Sequence, residues 1–404
     1  MNVLFLTTGR MESIEQHAIY PDLLRCFRNC GHKIYTVSSY EKRSGKNTEL
    51  VQENGALMLH VQIGNLTQTN IIEKGISTIL IERQYKEAIK KYLSDINFDL
   101  VMYSTPPITL VKVIDYVRKR DNTKTYLLLK DIFPQNAVDI GMVNKTGLKG
   151  LLYKFFRQKE KKLYAASDYI GCMSQANVDY VLRHNPEIKA DTVEVCPNSV
   201  EVTDMRVSTD VRDEMRRKYG IPLNKTVFVY GGNLGKPQGI PFLIQCLKSQ
   251  IKNQDAYFLI VGNGTEFRKL EQFFSEQKPE NMQLMKRLPK EDYDRMVAAC
   301  DVGMIFLDHR FTIPNFPSRL LSYMQAGIPV LAVTDPNTDI GKVIVDGGFG
   351  WWCESNDVKA FYGKVQEAYK SNLADMGMKA FRYLEDHYSV EKGYEIIMRH
   401  LDRK

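Results

Sequence analysis

DVGMIFLDHRFTIPNFPSRLLSYMQAGIPVLAVT, residues 301–334, is the stretch whose reading decides the fold. Its first apolar run, Val302 to Leu307, has the length and the β-branched and aromatic content of a buried strand. A polar loop from Asp308 to Asn315 follows. Pro317-Ser318-Arg319 then opens a helical pattern with apolar positions at Leu320, Leu321, Met324 and Ala326, and Gly327 closes it ahead of Pro329. Val330 to Val333 is a second buried strand. Strand, helix, strand in this order builds a parallel sheet, and such sheets bind ligands in the crevice beyond the carboxyl ends of their strands. A helix starting at Pro317 turns its free N–H groups, including those of Ser318 and Arg319, toward that crevice. With the helix dipole and the Arg319 guanidinium they suit a phosphate. An ordinary capped helix is the alternative reading of the same residues.

The same alternation runs through the whole chain. Asn2 to Leu6 reads as a buried strand, followed by the loop Thr7-Thr8-Gly9-Arg10, a helix from about Ala18 to Asn29 and a strand from Lys33 to Val37. His17, in the loop before that helix, either touches a ligand or is a solvated loop histidine. A long helical pattern from Ile71 to Leu93 leads to the strand Asp99 to Tyr103 and the loop Ser104-Thr105-Pro106-Pro107. Beyond the strand Thr125 to Leu129, residues Lys130, Asp131, Gln135 and Asn136 crowd polar groups into one loop. Asp131 is a functional candidate there, with a helix or turn cap as the alternative. After about Lys225 a new alternation starts with Val227 to Tyr230. A glycine-rich loop follows, Gly231-Gly232-Asn233-Leu234-Gly235-Lys236-Pro237-Gln238-Gly239, whose glycines let backbone N–H groups approach an anion. Its spacing is neither the Walker pattern nor the dinucleotide fingerprint. Gly262-Asn263-Gly264 ends the next strand, and Arg287-Leu288-Pro289 precedes a helix begun by Glu291 and Asp292.

Phe316 to Ala332, FPSRLLSYMQAGIPVLA, resembles the late sugar-nucleotide motif of GT-B glycosyltransferases of the family-four retaining class, nearest to the bacterial capsule and O-antigen (WbuB-like) branch. Gly31-His32-Lys33-Ile34 and Val193-Glu194-Val195-Cys196-Pro197-Asn198 are similar to further passages of that family. The resemblance implies an α/β fold of two Rossmann-like domains facing across a cleft. Residues 1–197 form the acceptor-side domain, 198–379 form the nucleotide-sugar domain, and a C-terminal helix of about 380–404 crosses back to the first. It also assigns roles. The donor would meet Gly232, Asn233, Gly235, Gln238, Gly262 and Gly264, with Arg287 and Leu288 beside the base. Asn315, Phe316, Pro317, Ser318, Leu320 and Ser322 would complete that site. Gly9, Arg10, His17, Thr105 and Gln135 would face the acceptor. Asp131 matches the place where relatives present a His or Asp to the donor sugar. Relatives place Arg and Lys in the glycine loop where this chain has Asn233 and Gln238, so Lys236 and Arg319 are the candidates for neutralising the diphosphate. The family's paired glutamates align with Pro314 and Ser322.

The 404 residues, 44% hydrophobic and 25% charged, exclude disordered and collagen-like classes. No apolar run approaches the roughly 18 residues of a membrane span. No signal peptide precedes the first strand, so the cytoplasm is expected, with peripheral attachment to the inner membrane face as an option. Seven cysteines without a C-x-x-C pair fit reduced thiols. The net charge of +7 favours anionic partners, although the basic residues do not interleave with stacking aromatics as nucleic-acid binding requires. Residues 145–166 combine Leu148, Leu151, Leu152, Phe155 and Phe156 at helical spacing with Lys145, Lys149, Lys154, Arg157, Lys159, Lys161 and Lys162. Such a helix either lies on anionic lipid or packs its apolar stripe into the core with its lysines solvated.

By resemblance, the expected reaction is retaining transfer of a sugar from a nucleotide-sugar donor to an acceptor. The donor would be UDP-linked, with N-acetylated amino sugars among the candidates, and the acceptor a polyprenyl-diphosphate saccharide. No Asp-x-Asp pair sits in a strand-end loop, so no metal and no cofactor are expected. A nucleotide-sugar 2-epimerase and a noncatalytic sugar-nucleotide-binding subunit are the alternatives.

Overall fold

The computed structural model describes residues 1–66, 69 and 71–401, without the side chains of 71, 72, 74–76, 148 and 149. Ile71, Leu148 and Lys149 therefore lie outside the described side chains, and 402–404 lie outside the described chain. Two compact units result, one of residues 1–201 with 390–404 and one of residues 202–389.

In the N-terminal unit the strands are β1 (Asn2–Leu6), β2 (Lys33–Glu41), β3 (Glu49–Glu53), β4 (Ala56–Ile63), β5 (Leu100–Ser104), β6 (Lys124–Leu129), β7 (Tyr169–Cys172) and β8 (Val193–Val195). They lie in the order β3-β4-β2-β1-β5-β6-β7-β8. All neighbours are parallel except β3, which runs antiparallel to β4. Helices cover both faces of such a sheet, so its strands read as continuous apolar runs. Along β1, Val3 and Phe5 enter one core with Leu23, Phe27 and Met102, while Leu4 and Leu6 enter the other with Tyr85, Ile89 and Val101. Ile397 and Met398 join the first of these cores.

The C-terminal unit has six parallel strands: β9 (Thr226–Asn233), β10 (Ala256–Asn263), β11 (Met282–Met285), β12 (Val302–Phe306), β13 (Val330–Thr334) and β14 (Gly350–Glu354). Their order is β11-β10-β9-β12-β13-β14. Phe228, Phe258, Met304, Phe306, Leu331 and Val333 pack under helices on one face. The C-terminal helix expected over about 380–404 is divided between two helices as far as the chain is described. Ser389 is extended (φ −70°, ψ 153°) between Leu373–Tyr388 and Val390–Met398. Val390 N–H then donates to Val200 O at 3.1 Å.

Each sheet reverses its winding once, between β1 and β5 and between β9 and β12. At such a switch point the crossover connections diverge to opposite faces and leave a crevice at the carboxyl ends of the strands. The loops singled out in the sequence lie at these ends.

Candidate active site

In the C-terminal unit, β12 pairs with β9 only at Val302–Phe228 and Gly303–Val229, and the strands then part. The Tyr323 hydroxyl fills the split. It lies 3.0 Å from Met304 O and 3.3 Å from Val229 O, and accepts from Gly231 N–H at 3.4 Å. Its ring fits because β12 carries Gly303 opposite, where a Cβ would stand 2.4 Å from Tyr323 Cγ.

Tyr323 belongs to the Arg319–Gln325 helix, whose first bonds run from Leu320 N–H to Pro317 O (3.2 Å) and from Leu321 N–H to Ser318 O (3.1 Å). The regular helix thus starts two residues after the expected Pro317. Ser318, in helical conformation, precedes it. Leu320 is buried, as is Phe316, whose ring lies 6.2 Å from that of Tyr388. The Arg319 guanidinium turns inward under the glycine loop, with Cζ 4.3 Å from the centroid of the Tyr230 ring. Its Nη1 is sealed from solvent and has no hydrogen-bond partner, and among the described residues no carboxylate pairs with it. The phenols of Tyr230, Tyr323 and Tyr293 act on this charge and raise its pKa against the opposing effect of burial, which is the largest single influence.

The glycine loop does more than open its backbone to an anion. Gly231 leaves room beneath β9 for Tyr293, whose hydroxyl would be 1.8 Å from a Cβ there, and Gly232 (φ +117°) leaves room for Arg319 Nη2. Asn233 and Gln238 bond to each other (3.0 Å), and Gln238 Oε1 also accepts from Gly235 N–H (3.1 Å). The two amides therefore brace the loop. Gly262 and Gly264 lie against it, where side chains would overlap Gly232 O and Leu234 O. Lys236 is exposed and, among the described residues, makes no ion pair. Arg287 is exposed and Leu288 half-buried just beyond β11. Neither Pro314 nor Ser322 offers a carboxylate. Asn315 holds a sealed, unpartnered Nδ2 while its carbonyl accepts from Thr338 Oγ1.

In the N-terminal unit Gly9, Thr105, Asp131 and Gln135 follow the carboxyl ends of β1, β5 and β6. Thr105 Oγ1 accepts from the N–H groups of both Lys130 (3.0 Å) and Asp131 (3.2 Å). Burial raises the Asp131 pKa, and among the described residues its carboxyl forms no ion pair. Lys130 donates to Cys196 O at 3.1 Å, and burial lowers its amine from 10.5 to about 8. Gln135 donates to Asp139 Oδ1 (2.6 Å), and Arg10 pairs with Glu12. His17 stands 3.8 Å from Glu201. His17, Asp22 and Glu201 could bring ligand atoms within 4.8 Å of one another, but Arg25 already bonds both carboxylates. That cluster is an ion-pair network, not a vacant metal site.

The family model of glycosyl transferases group 1 matches residues 211–382, which hold β9 to β14, the glycine loop and the Arg319 helix. Among solved structures, the Anabaena protein HepE in complex with UDP and glucose aligns over 100% of both chains at TM-score 0.71 and 14% identity. WaaG, a glycosyltransferase involved in lipopolysaccharide biosynthesis, aligns over 100% of both chains at TM-score 0.67 and 13% identity. This is the GT-B fold. The probable glycosyltransferase WbjE of Pseudomonas aeruginosa is 25% identical over 296 residues, 72% of this chain and 71% of that one. Together these matches show the GT-B fold and a similarity to group 1 glycosyl transferases over residues 211–382. The site residues that sequence reasoning missed are Tyr230, Tyr293 and Tyr323. Their only sequence signal is that glycines, Gly231 and Gly303, occupy strand positions where a side chain would ordinarily pack.

Proposed function

We propose that the chain is a retaining glycosyltransferase that transfers a sugar from a UDP-linked donor to a polyprenyl-diphosphate saccharide in capsule or O-antigen synthesis. The observation that carries this reading is the Arg319 guanidinium at the switch point, half-buried beside Tyr230 with a sealed, unpartnered Nη1. A cation kept without a carboxylate is costly unless an anion completes it. A donor diphosphate arriving over Gly232 is such an anion, and the UDP in HepE supports that donor class.

In the reaction, the bond from the sugar's anomeric carbon to the diphosphate oxygen breaks as the acceptor hydroxyl bonds to the same face. The hydroxyl proton passes to the departing phosphate oxygen. Arg319 and Lys236 stabilise the charge that develops there, an effect for which one donor is worth about 100 to 1000-fold in rate. Asp131 orients the donor sugar, and no metal takes part. The acceptor meets Gly9, Arg10, His17, Thr105 and Gln135. The 147–165 helix rests on anionic lipid at the inner membrane face. Among the described residues no helix is long and apolar enough to cross a membrane, and attachment from one side suffices.

A thermal-shift series with UDP, GDP, ADP, TDP, CMP and NAD, each with and without EDTA, tests the donor reading. A ligand that binds only the folded state raises its melting temperature by mass action. A shift with UDP that EDTA does not change is expected. No shift with any nucleoside diphosphate would overturn the assignment.

A further inference from the structure

Tyr230, Tyr293 and Tyr323 come from β9, the Lys290–Ala298 helix and the Arg319–Gln325 helix. Tyr230 lies against Arg319, and Tyr293 and Tyr323 stand near enough to act on its charge. Gly231, Gly232 and Gly303 make the room, since a Cβ at these positions would meet Tyr293, Arg319 and Tyr323 respectively. The box is itself anchored. Tyr230 donates to Asn233 O (2.9 Å), so the ring over the guanidinium is tied to the glycine loop, and Tyr323 bridges the parted strands. Aromatic rings attract a cation without neutralising it. A carboxylate in the same place would use up the charge and compete with an incoming phosphate.

We propose that these three tyrosines are positioning residues that hold Arg319 charged, partly desolvated and free to receive the diphosphate of the nucleotide-sugar donor, so that the enzyme selects ligands by their diphosphate as well as by their base. This rests on the donor-site reading above. Tyr230, whose ring lies over the cation, contributes most. The hydroxyls of Tyr293 and Tyr323 fix where the helices bearing them stand beneath the loop. The tyrosines act through Arg319, so their removal affects the diphosphate and leaves contacts to the nucleoside unchanged.

The test compares wild type, Tyr230→Phe and Tyr230→Leu in calorimetric titrations with UDP, GDP, ADP and TDP. The tightest of these is then set against its parent nucleoside, with melting curves recorded in parallel. A cation–π contact corresponds to about threefold to thirtyfold in affinity. The proposal expects Tyr230→Leu to weaken the diphosphate by that factor, Tyr230→Phe to restore it, and the nucleoside to bind all three proteins alike. Equal weakening of nucleoside and diphosphate, or no weakening of either, would overturn it. If Tyr230→Leu does not fold, Tyr230→Met is the second aliphatic replacement and is judged by the same comparison. Wild type that binds no diphosphate would instead overturn the donor-site reading itself.

Discussion

Gly232 lies directly over Arg319, and a Cβ built on the glycine would stand 3.0 Å from Nη2 of the arginine. The glycine's φ of +117° is a second reason that no other residue belongs there. Strain of this kind costs about 1–3 kcal/mol. Gly232→Ala is therefore expected to lower the urea midpoint and, by crowding the guanidinium, to weaken nucleoside diphosphate binding by about tenfold or more, the scale of a charged hydrogen bond. Titration of the folded variant with UDP checks this. Wild-type affinity would mean that the anion does not approach through Gly232.

Arg319 itself separates stability from function. Its half-buried charge, with Nη1 sealed, has no carboxylate partner among the described residues, so the folded state bears a desolvation cost that a ligand offsets. Arg319→Met fills a similar volume without the charge. It is expected to melt no lower than wild type, yet to lose about 100 to 1000-fold in transfer rate. A large fall in melting temperature would identify Arg319 as a structural residue.

The repeated strand and helix alternation was legible because both faces of each sheet are buried, which turns strands into apolar runs flanked by polar loops. The 301–334 unit was read to within two residues at its helix start. The tyrosine box was not legible. Tyr230, Tyr293 and Tyr323 are far apart in sequence and are gathered by the packing of β9, the Lys290–Ala298 helix and the Arg319–Gln325 helix, which no local pattern records. The break at Ser389 was hidden for a similar reason, since neither Pro nor Gly marks it. Arg157 looked like part of a basic surface, yet its guanidinium bonds Glu160, His184 O and Asn185 Oδ1. Charge type alone does not reveal which way a long side chain turns.

Asp335, buried at the end of β13, sets a pH dependence. Its Oδ1 accepts from the N–H groups of Asn337 (2.9 Å) and Thr338 (3.2 Å), while Oδ2 is sealed without a partner. Burial lifts its pKa from 3.8 to about 6. Between these values the folded state binds more protons than the unfolded one, so this group makes stability fall as pH rises from about 4 to about 6 and leaves it level above. The gap corresponds to about 3 kcal/mol at neutral pH. Asp335→Asn keeps the Oδ1 acceptor and removes the charge. It is expected to raise the urea midpoint at pH 7 and to flatten the pH 4–6 slope relative to wild type.

Arg216 illustrates the opposite arrangement. Fully buried, it donates to Ala299 O (2.8 Å), Pro222 O (3.2 Å) and Lys225 O (3.1 Å), and its Nη2 pairs with Asp301 Oδ2 at 2.7 Å. The same Asp301 oxygen accepts from Val227 N–H, so the pair ties the start of β9 to the start of the 301–334 unit. Removing the arginine takes a partner at once from Asp301, which keeps Arg212 and Val227 N–H, and from the four carbonyls of Ala299, Pro222, Leu223 and Lys225. Arg216→Ala is expected to cost about 3–5 kcal/mol. Urea unfolding monitored by circular dichroism would show it, and a loss below about 1 kcal/mol would mean that water replaces the network.

The Gly147–Ala165 helix divides its apolar residues between two faces. Phe156 turns inward against Phe133 (5.1 Å), whereas Leu151 (65% exposed), Leu152 (47%) and Phe155 (45%) face outward, as does nearby Met142 (60%). Not all of the basic stripe is available to lipid. Arg157 is bound within the unit, Lys159 pairs with Glu82 and Lys161 with Glu187. Lys145, Lys154 and Lys162 remain exposed and, among the described residues, make no ion pair. Each lysine near an anionic surface is worth about 1 kcal/mol, and inserted apolar side chains add to that. Wild type is therefore expected to cosediment with phosphatidylglycerol-containing vesicles and to release at high salt. Lys145→Glu with Lys154→Glu should reduce binding by about tenfold or more, and Leu151→Glu with Phe155→Glu should abolish it. Melting temperature should change little in either, because all four side chains are exposed. Equal sedimentation of both variants and wild type would leave this face a solvated surface with no role in lipid binding.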